Sequence, residues 1–131
     1  MSSLEDCIFC SKKNCKIIKS TKFFFIIRDT AYPVTKHHTL IVTNRHVSNY
    51  FDLEKDEIVE LDEILKQQKK DLMNLDNSIT GFNIGTNVGQ DAGQSIMHCH
   101  IHLIPRRKGD VEDPRGGVRG VIPSKQKYKR K

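Results

Sequence analysis

Residues 94–107 read QSIMHCHIHLIPRR: three histidines, at 98, 100 and 102, alternate with Cys99 and Ile101, and an apolar run then ends at Pro105. Alternation with period two is strand behaviour. On a strand His98, His100 and His102 project from one face, and Met97, Cys99, Ile101 and Leu103 from the other. A helix would scatter the same histidines over roughly 200°, at about 100° per residue. Same-face neighbours on a strand lie roughly 6.5–7 Å apart at Cα and the outer pair roughly 13 Å apart. Two adjacent imidazoles can converge on one point, but three on one ion would require the strand to bend, so the three are expected to hold different jobs. The preceding stretch 87–95, NVGQDAGQS, is a glycine- and amide-rich loop able to bring backbone N–H groups close to an anion. A histidine strand beside such a loop points to phosphorus chemistry at a nucleophilic imidazole.

The rest of the chain supplies a frame for that strand. Segment 22–28 (KFFFIIR) is aromatic and β-branched and reads as a strand. The polar stretch 29–36 around Pro33 is a loop, and 38–43 (HTLIVT) is a second strand. So short a connection excludes a helical crossover, which makes the two strands antiparallel neighbours. Residues 54–76 form the one clear helix, with Ile58, Leu61, Leu65, Leu72 and Leu75 near one face, Ile64 beside them and Asp52 as the expected N-cap. Segment 79–87 (ITGFNIGTN) is a third strand, interrupted by Gly81 and Gly85, and pairs antiparallel with the histidine strand. The fold class is α+β: an antiparallel sheet of four to five strands with one long helix against it.

At 131 residues the chain fits one domain, expected over 1–123. No apolar run approaches the roughly 20 residues that span a bilayer, which excludes a membrane-spanning helix. The opening MSSLEDC has neither the basic nor the apolar stretch of a signal peptide, so the expected compartment is the cytoplasm. Net charge is +6, and five Lys/Arg with no acid fall in 124–131. That stretch is expected to be a solvated, flexible basic tail, the only place where nucleic acid would bind. Cys7 and Cys10 form a C-x-x-C pair. Taken alone it reads as a redox pair, half a metal site or chance. Half a tetrahedral zinc site is the better reading if two further ligands exist, because a thioredoxin-like context is missing.

The histidine segment resembles the signature of the histidine-triad (HIT) family, His-φ-His-φ-His-φ-φ, at every position from His98 to Ile104 when Cys99 counts as apolar. Gly93-Gln94-Ser95 is similar to the family's Gly-Gln-Ser/Thr. Cys7-x-x-Cys10 matches the cysteine pair of many bacterial-type members, and PVTKHHTLIVTN at 33–44 resembles the family's Pro-x-x-x-Gly-His-x-Leu-φ-φ-Pro segment. The resemblance covers about residues 5–107, and 113–123 (DPRGGVRGVIP) is also similar to a bacterial subgroup.

Several roles are implied by that resemblance. His100 takes the position of the nucleophile that becomes nucleotidylated, His102 aligns it by hydrogen bonding and helps place the α-phosphate, and His38 lies in the network behind them. Asn87, Gly93, Gln94 and Ser95 match positions beside the phosphates and leaving group, and Asp29 is the candidate for gripping the ribose. In zinc-binding members two N-terminal cysteines join a histidine after the second strand and the first triad histidine, here Cys7, Cys10, His46 and His98. That set is closed to substrate and hence structural, forms a knuckle over about residues 5–50, and leaves no catalytic cofactor required. Cys15 and Cys99 are expected non-ligands. The family also implies a homodimer that joins two sheets. The sequence departs from the pattern where His37 replaces the glycine before His38, where Asn44 or a neighbour replaces the proline after the second strand, and where Asp29 lies one residue further from His38 than expected.

The reading that follows is a nucleotide hydrolase or nucleotidyl transferase acting on the α-phosphate of nucleoside 5′-phosphate derivatives. Dinucleoside polyphosphates are favoured because Arg106, Arg107 and Lys108 follow the strand; nucleoside phosphoramidates or aminoacyl adenylates are the alternative. Arg115 and Arg119, in a glycine-rich segment, are candidates to close over the substrate. From another class, a zinc-stabilised nucleotide- or RNA-binding module without turnover competes, as does a catalytic metal centre on the triplet, which the strand geometry disfavours.

Overall fold

A computed structural model describes residues 7–12 and 15–128; the first knuckle residues, part of the turn after Cys10 and the end of the basic tail lie outside the described residues. Five strands form one sheet: β1 (Ile17–Ser20), β2 (Phe24–Arg28), β3 (Thr39–Thr43), β4 (Ile79–Gly85) and β5 (His100–Arg107), in the order β1-β2-β3-β5-β4, with every neighbouring pair antiparallel. The aromatic and β-branched run of β2 is buried from Phe24 to Ile27 because it lies inside the sheet, between β1 and β3. A short helix, α1 (Ile8–Ser11), and a long one, α2 (Lys55–Leu75), complete the frame.

The long helix lies within the expected bounds. No Gly or Pro interrupts it, and Lys66–Asp62 and Gln67–Asp71 pair along its exposed face at i,i+4. Its N-cap is Glu54, in a reciprocal capping box with Glu57, and not Asp52; Asp52 closes a separate single turn, Tyr50–Asp52, capped by Asn49. Leu61, Ile64 and Leu72 are the buried stripe, each worth about 1.5–3 kcal/mol on burial. Leu75 instead stands 64% exposed at the last turn. Where α2 meets the sheet, Gln68 and Thr39 each accept from the Arg28 guanidinium at 2.7 Å, so a half-buried charge bridges helix and sheet through neutral acceptors.

The sheet has two different faces. Phe24, Ile26, Ile41, Cys99 and Ile101 pack with Leu61 and Ile64 under α2. Phe25, Ile27, Leu40 and Val42 pack with Cys7 and Phe9 of the knuckle. Directly paired residues share a face, and β3 sets Leu40 opposite His102 and Val42 opposite His100, so both histidines lie on the knuckle side. β4 sets Gly85 opposite His102 and Asn83 opposite Ile104. The expected alternation therefore holds along β5, with Ile101, Leu103 and Pro105 buried beneath it. His98 precedes β5, and Met97 is partly exposed instead of joining the helix-side core. Among the described residues no helix is long and apolar enough to cross a membrane.

Candidate active site and metal centre

The knuckle brings the four sequence-distant ligand candidates together. Cys7 caps the N-terminus of α1, its Sγ accepting from the Cys10 amide at 3.4 Å, so one short turn presents both sulfurs on one side. His98 is fully buried, and its Nε2 donates to the Thr43 carbonyl at 2.8 Å, which fixes the tautomer and turns Nδ1 toward the cysteines. Cys7 Sγ lies 3.2 Å from His98 Nδ1, Cys10 Sγ 3.1 Å from His46 Nδ1, and the two Nδ1 atoms 3.2 Å apart. All four ligand atoms fall within 4.8 Å of one another. A tetrahedral zinc bound by two nitrogens and two sulfurs separates its ligand atoms by roughly 3.3–3.8 Å, so the cluster fits such an ion. Burial, followed by Cys7, pushes the Cys10 thiol up to about 11, so the Cys10 thiolate is favoured here only beside a cation. Cys15 bonds weakly to the Ile8 carbonyl. Burial pushes Cys99, which faces the helix side, up to about 12, where it packs as an inert thiol.

His38, His100 and His102 form a second, separately ordered set. His100 Nδ1 donates to the His98 carbonyl at 2.7 Å, leaving the Nε2 lone pair free. His38 is 2% exposed; its Nδ1 accepts from the Val34 amide at 3.0 Å, so its Nε2 carries the proton and donates to His102 Nδ1 at 2.9 Å. His102 must then carry its own proton on Nε2. Two backbone groups therefore set three tautomers. Burial holds all three imidazoles below their ordinary range, His102 down to about 4, so the set is neutral at physiological pH. The expected alignment of His100 by a hydrogen bond from His102 is not what orients it: the rings meet edge-on with centroids 5.2 Å apart, and the His98 carbonyl provides the bond. Phe9 of the knuckle also packs edge-on against His100, at 5.1 Å.

The flanking candidates divide. Thr86 donates to the His100 carbonyl and Asn87 follows it, lining an open cavity of about 380 Å3 with His102. Gln94 is buried and spends its whole amide inside the loop, accepting from Gly89 and donating to the Ser48 and Ile96 carbonyls; it braces the loop and has no group left for a phosphate. Gly89 and Gly93 hold φ of 90° and 94°, which explains the glycines of this loop, and Ser95 stands exposed after it. Asp29 caps the turn at Ala31 and Tyr32 with one oxygen and lies 3.9 Å from His38 Nδ1 with the other. His37 occupies the family's glycine position with φ of 73°, so the backbone there keeps the left-handed conformation that a glycine would supply.

Arg106 and Arg107, the last residues of β5, are engaged within the fold. Arg106 pairs with Asp110 and bonds Asn83, and Arg107 binds Asp76, Ser78 and the Lys36 carbonyl. Arg115 pairs with Asp113, and the Arg119 guanidinium stacks 4.9 Å over Tyr128. In the glycine-rich segment it is Val118 and Val121, not the arginines, that reach the cavity beside His102. Sequence reasoning also missed Thr43 and Val34, which act through backbone atoms and so leave no trace in side-chain pattern.

Residues 11–109 match the protein family described as HIT domain. An uncharacterized HIT-like protein of Methanocaldococcus jannaschii is 33% identical over 110 residues, covering 81% of this chain and 83% of that one. An adenosine 5′-monophosphoramidase of Candida albicans is 30% identical over 119 residues, covering 82% and 74%. An asymmetrical bis(5′-nucleosyl)-tetraphosphatase of Schizosaccharomyces pombe is 32% identical over 81 residues, which is 62% of this chain but 44% of that protein. Among solved structures, a zinc-bound histidine-triad family protein from Mycobacterium smegmatis superposes with a TM-score of 0.75 at 25% identity, over 85% of this chain and 82% of that one.

Proposed function

The chain belongs to the HIT domain family, and we propose that it is a nucleotide hydrolase or nucleotidyl transferase working through a covalent nucleotidyl-histidine at His100. The observation that carries this reading is the His100 tautomer: Nδ1–H is spent on the His98 carbonyl, so the lone pair of Nε2 is the one available to phosphorus. Nε2 attacks the α-phosphorus, and the bond to the leaving group breaks with its electron pair going to that group. A phosphate leaves as the anion; an amine takes a proton from solvent. The nucleotidylated ring keeps its Nδ1 proton and is cationic, and the His98 carbonyl accepts that charge-strengthened bond. Water then attacks phosphorus, the pair in the P–N bond returns to Nε2, and the spare proton leaves with solvent. His102, oriented by His38, presents Nε2–H to a phosphoryl oxygen.

Cys7, Cys10, His46 and His98 hold a structural zinc in this reading. When bound, the ion would supply a cross-link between α1, the segment after β3 and the segment before β5 that carries His98, with no coordination position left for substrate. A homodimer is part of the proposal, supported by the apolar cleft of Tyr50, Ile58, Leu65 and Ile84 between α2 and the edge strand β4. Relatives carry both polyphosphate and phosphoramidate activities in their names, which supports a nucleotide hydrolase and leaves the leaving group a separate matter.

The test is to mix the protein with an adenosine 5′-phosphoramidate, quench, and look for an adenylyl group on His100 by mass spectrometry. The expected result is a labelled peptide containing His100, absent from His100→Ala. Turnover that persists in His100→Ala overturns the assignment; nucleotide binding with neither label nor turnover favours a binding module.

A further inference from the structure

We propose that Cys7 and Cys10 are also an oxidation site, a dithiol that hydrogen peroxide closes to a disulfide and that thereby controls the nucleophile at His100: one turn of α1 holds the two sulfurs together and seats Phe9, between them, on the His100 ring. The proposal rests on the metal-cluster and nucleotidyl-transfer readings and adds regulation to them.

The pair is placed to close. Cys7 caps α1 and Cys10 is the third residue of its turn, and residues so spaced lie about 5 Å apart at Cα, inside the roughly 4.4–6.8 Å that a disulfide spans. The two sulfurs are within 4.8 Å of each other, so rotation about the side chains joins them. Cys10 is half-buried and Cys7 only 5% exposed, so a small oxidant meets Cys10 first, with Cys7 waiting behind it. The other thiols are turned elsewhere. Cys99 is buried under α2 on the opposite face of the sheet, and the Cys15 sulfur points to the Ile8 carbonyl at 3.9 Å.

The chemistry balances with the peroxide as oxidant. The Cys10 thiolate attacks one peroxide oxygen; the S–O bond forms, the O–O bond breaks, and its electron pair leaves with the second oxygen as hydroxide. The Cys7 thiolate then attacks the Cys10 sulfur; the S–S bond forms, and the S–O bond breaks to release a second hydroxide. Two protons from solvent complete two waters, and two electrons have passed from sulfur to oxygen. The disulfide offers no thiolate, so an ion held by the cluster is released.

Two contacts carry this change to His100. Phe9 is 2% exposed and packs edge-on against His98 at 5.8 Å and His100 at 5.1 Å. His98 has its ring in the cluster and its carbonyl on the His100 Nδ1–H, at 2.7 Å. The two sulfurs lie 3.2 and 3.4 Å from His98 Nδ1. A thiol donates to that nitrogen and an ion binds it, whereas a disulfide does neither. With Nε2 already committed to the Thr43 carbonyl, oxidation leaves a buried ring nitrogen unpartnered. Relief requires His98 to shift, and its carbonyl, which sets the His100 tautomer, shifts with it.

The test treats the zinc-loaded full chain with a few equivalents of hydrogen peroxide. The peptide carrying Cys7 and Cys10 is expected to lose two hydrogens by mass spectrometry, with about one zinc released per disulfide to a chromogenic chelator. The His100 imidazole N–H resonance in ¹⁵N NMR is expected to vanish. The kcat on adenosine 5′-phosphoramidate is expected to fall about tenfold or more while circular dichroism is unchanged, and a dithiol with zinc to restore it. Cys15→Ser is expected to respond as the parent does; loss of the response there assigns the bridge to Cys15 and overturns the pair. Cysteines that stay reduced, or a Cys10 sulfinic acid without a disulfide, overturn it as well. A disulfide that forms with the rate and the imidazole resonance unchanged overturns the control of His100, and so does a rate loss that tracks unfolding. An untreated protein without turnover removes the hydrolase reading, and one that takes up no zinc removes the metal reading; the sulfur chemistry and the imidazole resonance then decide the proposal by themselves.

Discussion

His98 and His102 lie four residues apart on the same side of the chain, yet their rings are held the opposite way round. His98 gives Nε2 to a backbone carbonyl and turns Nδ1 toward two cysteines and His46. His102 gives Nδ1 to His38 and stands at the wall of an open cavity. The same side chain therefore serves a closed cluster at one end and an open one at the other. The difference comes from which ring nitrogen the second partner occupies. His100, between them, takes its partner from the His98 backbone and so is tied to the cysteine end while its free nitrogen serves the other.

The sharpest way to break this comparison is at the centre. His100→Ala is expected to lower kcat by about 10⁴-fold or more while leaving the thermal midpoint close to the parent's, since the lost ring is neither core nor ligand. Steady-state rates with calorimetry decide it; a large drop in Tm would place His100 in the structural cluster. At the cysteine end the order reverses. Chelation, or Cys7→Ser with Cys10→Ser, is expected to remove about one zinc per chain and about 3 kcal/mol or more of stability, on the order of 10 °C in Tm. Metal analysis of a protein that carries and takes up no zinc would dissolve that end as a centre.

Two smaller effects sharpen the open end. His38→Phe removes the donor that sets the His102 tautomer and is expected to cost roughly 10–100-fold in kcat with little change in KM; recovery of most of the rate in His38→Gln, which restores an N–H donor, separates positioning from packing. The smallest effect is on stability against pH. Burial first, then His100 and His38, hold His102 at about 4, below the ordinary value of about 6.5, so the unfolded chain takes its proton first as pH falls. The contribution is full above about pH 6.5 and is lost on the way down to about 4. His102→Gln is expected to flatten the fall of Tm over that interval; an unchanged slope assigns the loss to other groups.

The elements that place the site are legible because they rest on side-chain periodicity. The alternation at 98–104 and the stripe through Leu61, Ile64 and Leu72 each bury an apolar face of the expected period, and the continuous run at 22–28 is buried on both faces from Phe24 to Ile27. The cysteine pair with His46 and His98 is legible only through resemblance, since nothing in their spacing draws four residues from three elements together. Sequence misleads where backbone atoms or competing pairs decide. Gln94 is expected beside the phosphates through its resemblance to a family position; carbonyls at Ser48 and Ile96 take its amide. Arg106 and Arg107 look like free charge, and Asp110 and Asp76 engage them. Asp52 is displaced as helix cap by the reciprocal Glu54–Glu57 bonds two residues later.

The ladder that seats β5 between β3 and β4 has a further consequence. A slip of one residue against either neighbour would carry Ile101 and Leu103 to the outer face and turn both working imidazoles toward the helix. Turnover would stop before the sheet came apart. Under the proposed mechanism catalytic rate reports strand alignment, and its loss under mild denaturant is expected to precede any change in secondary structure that spectroscopy detects.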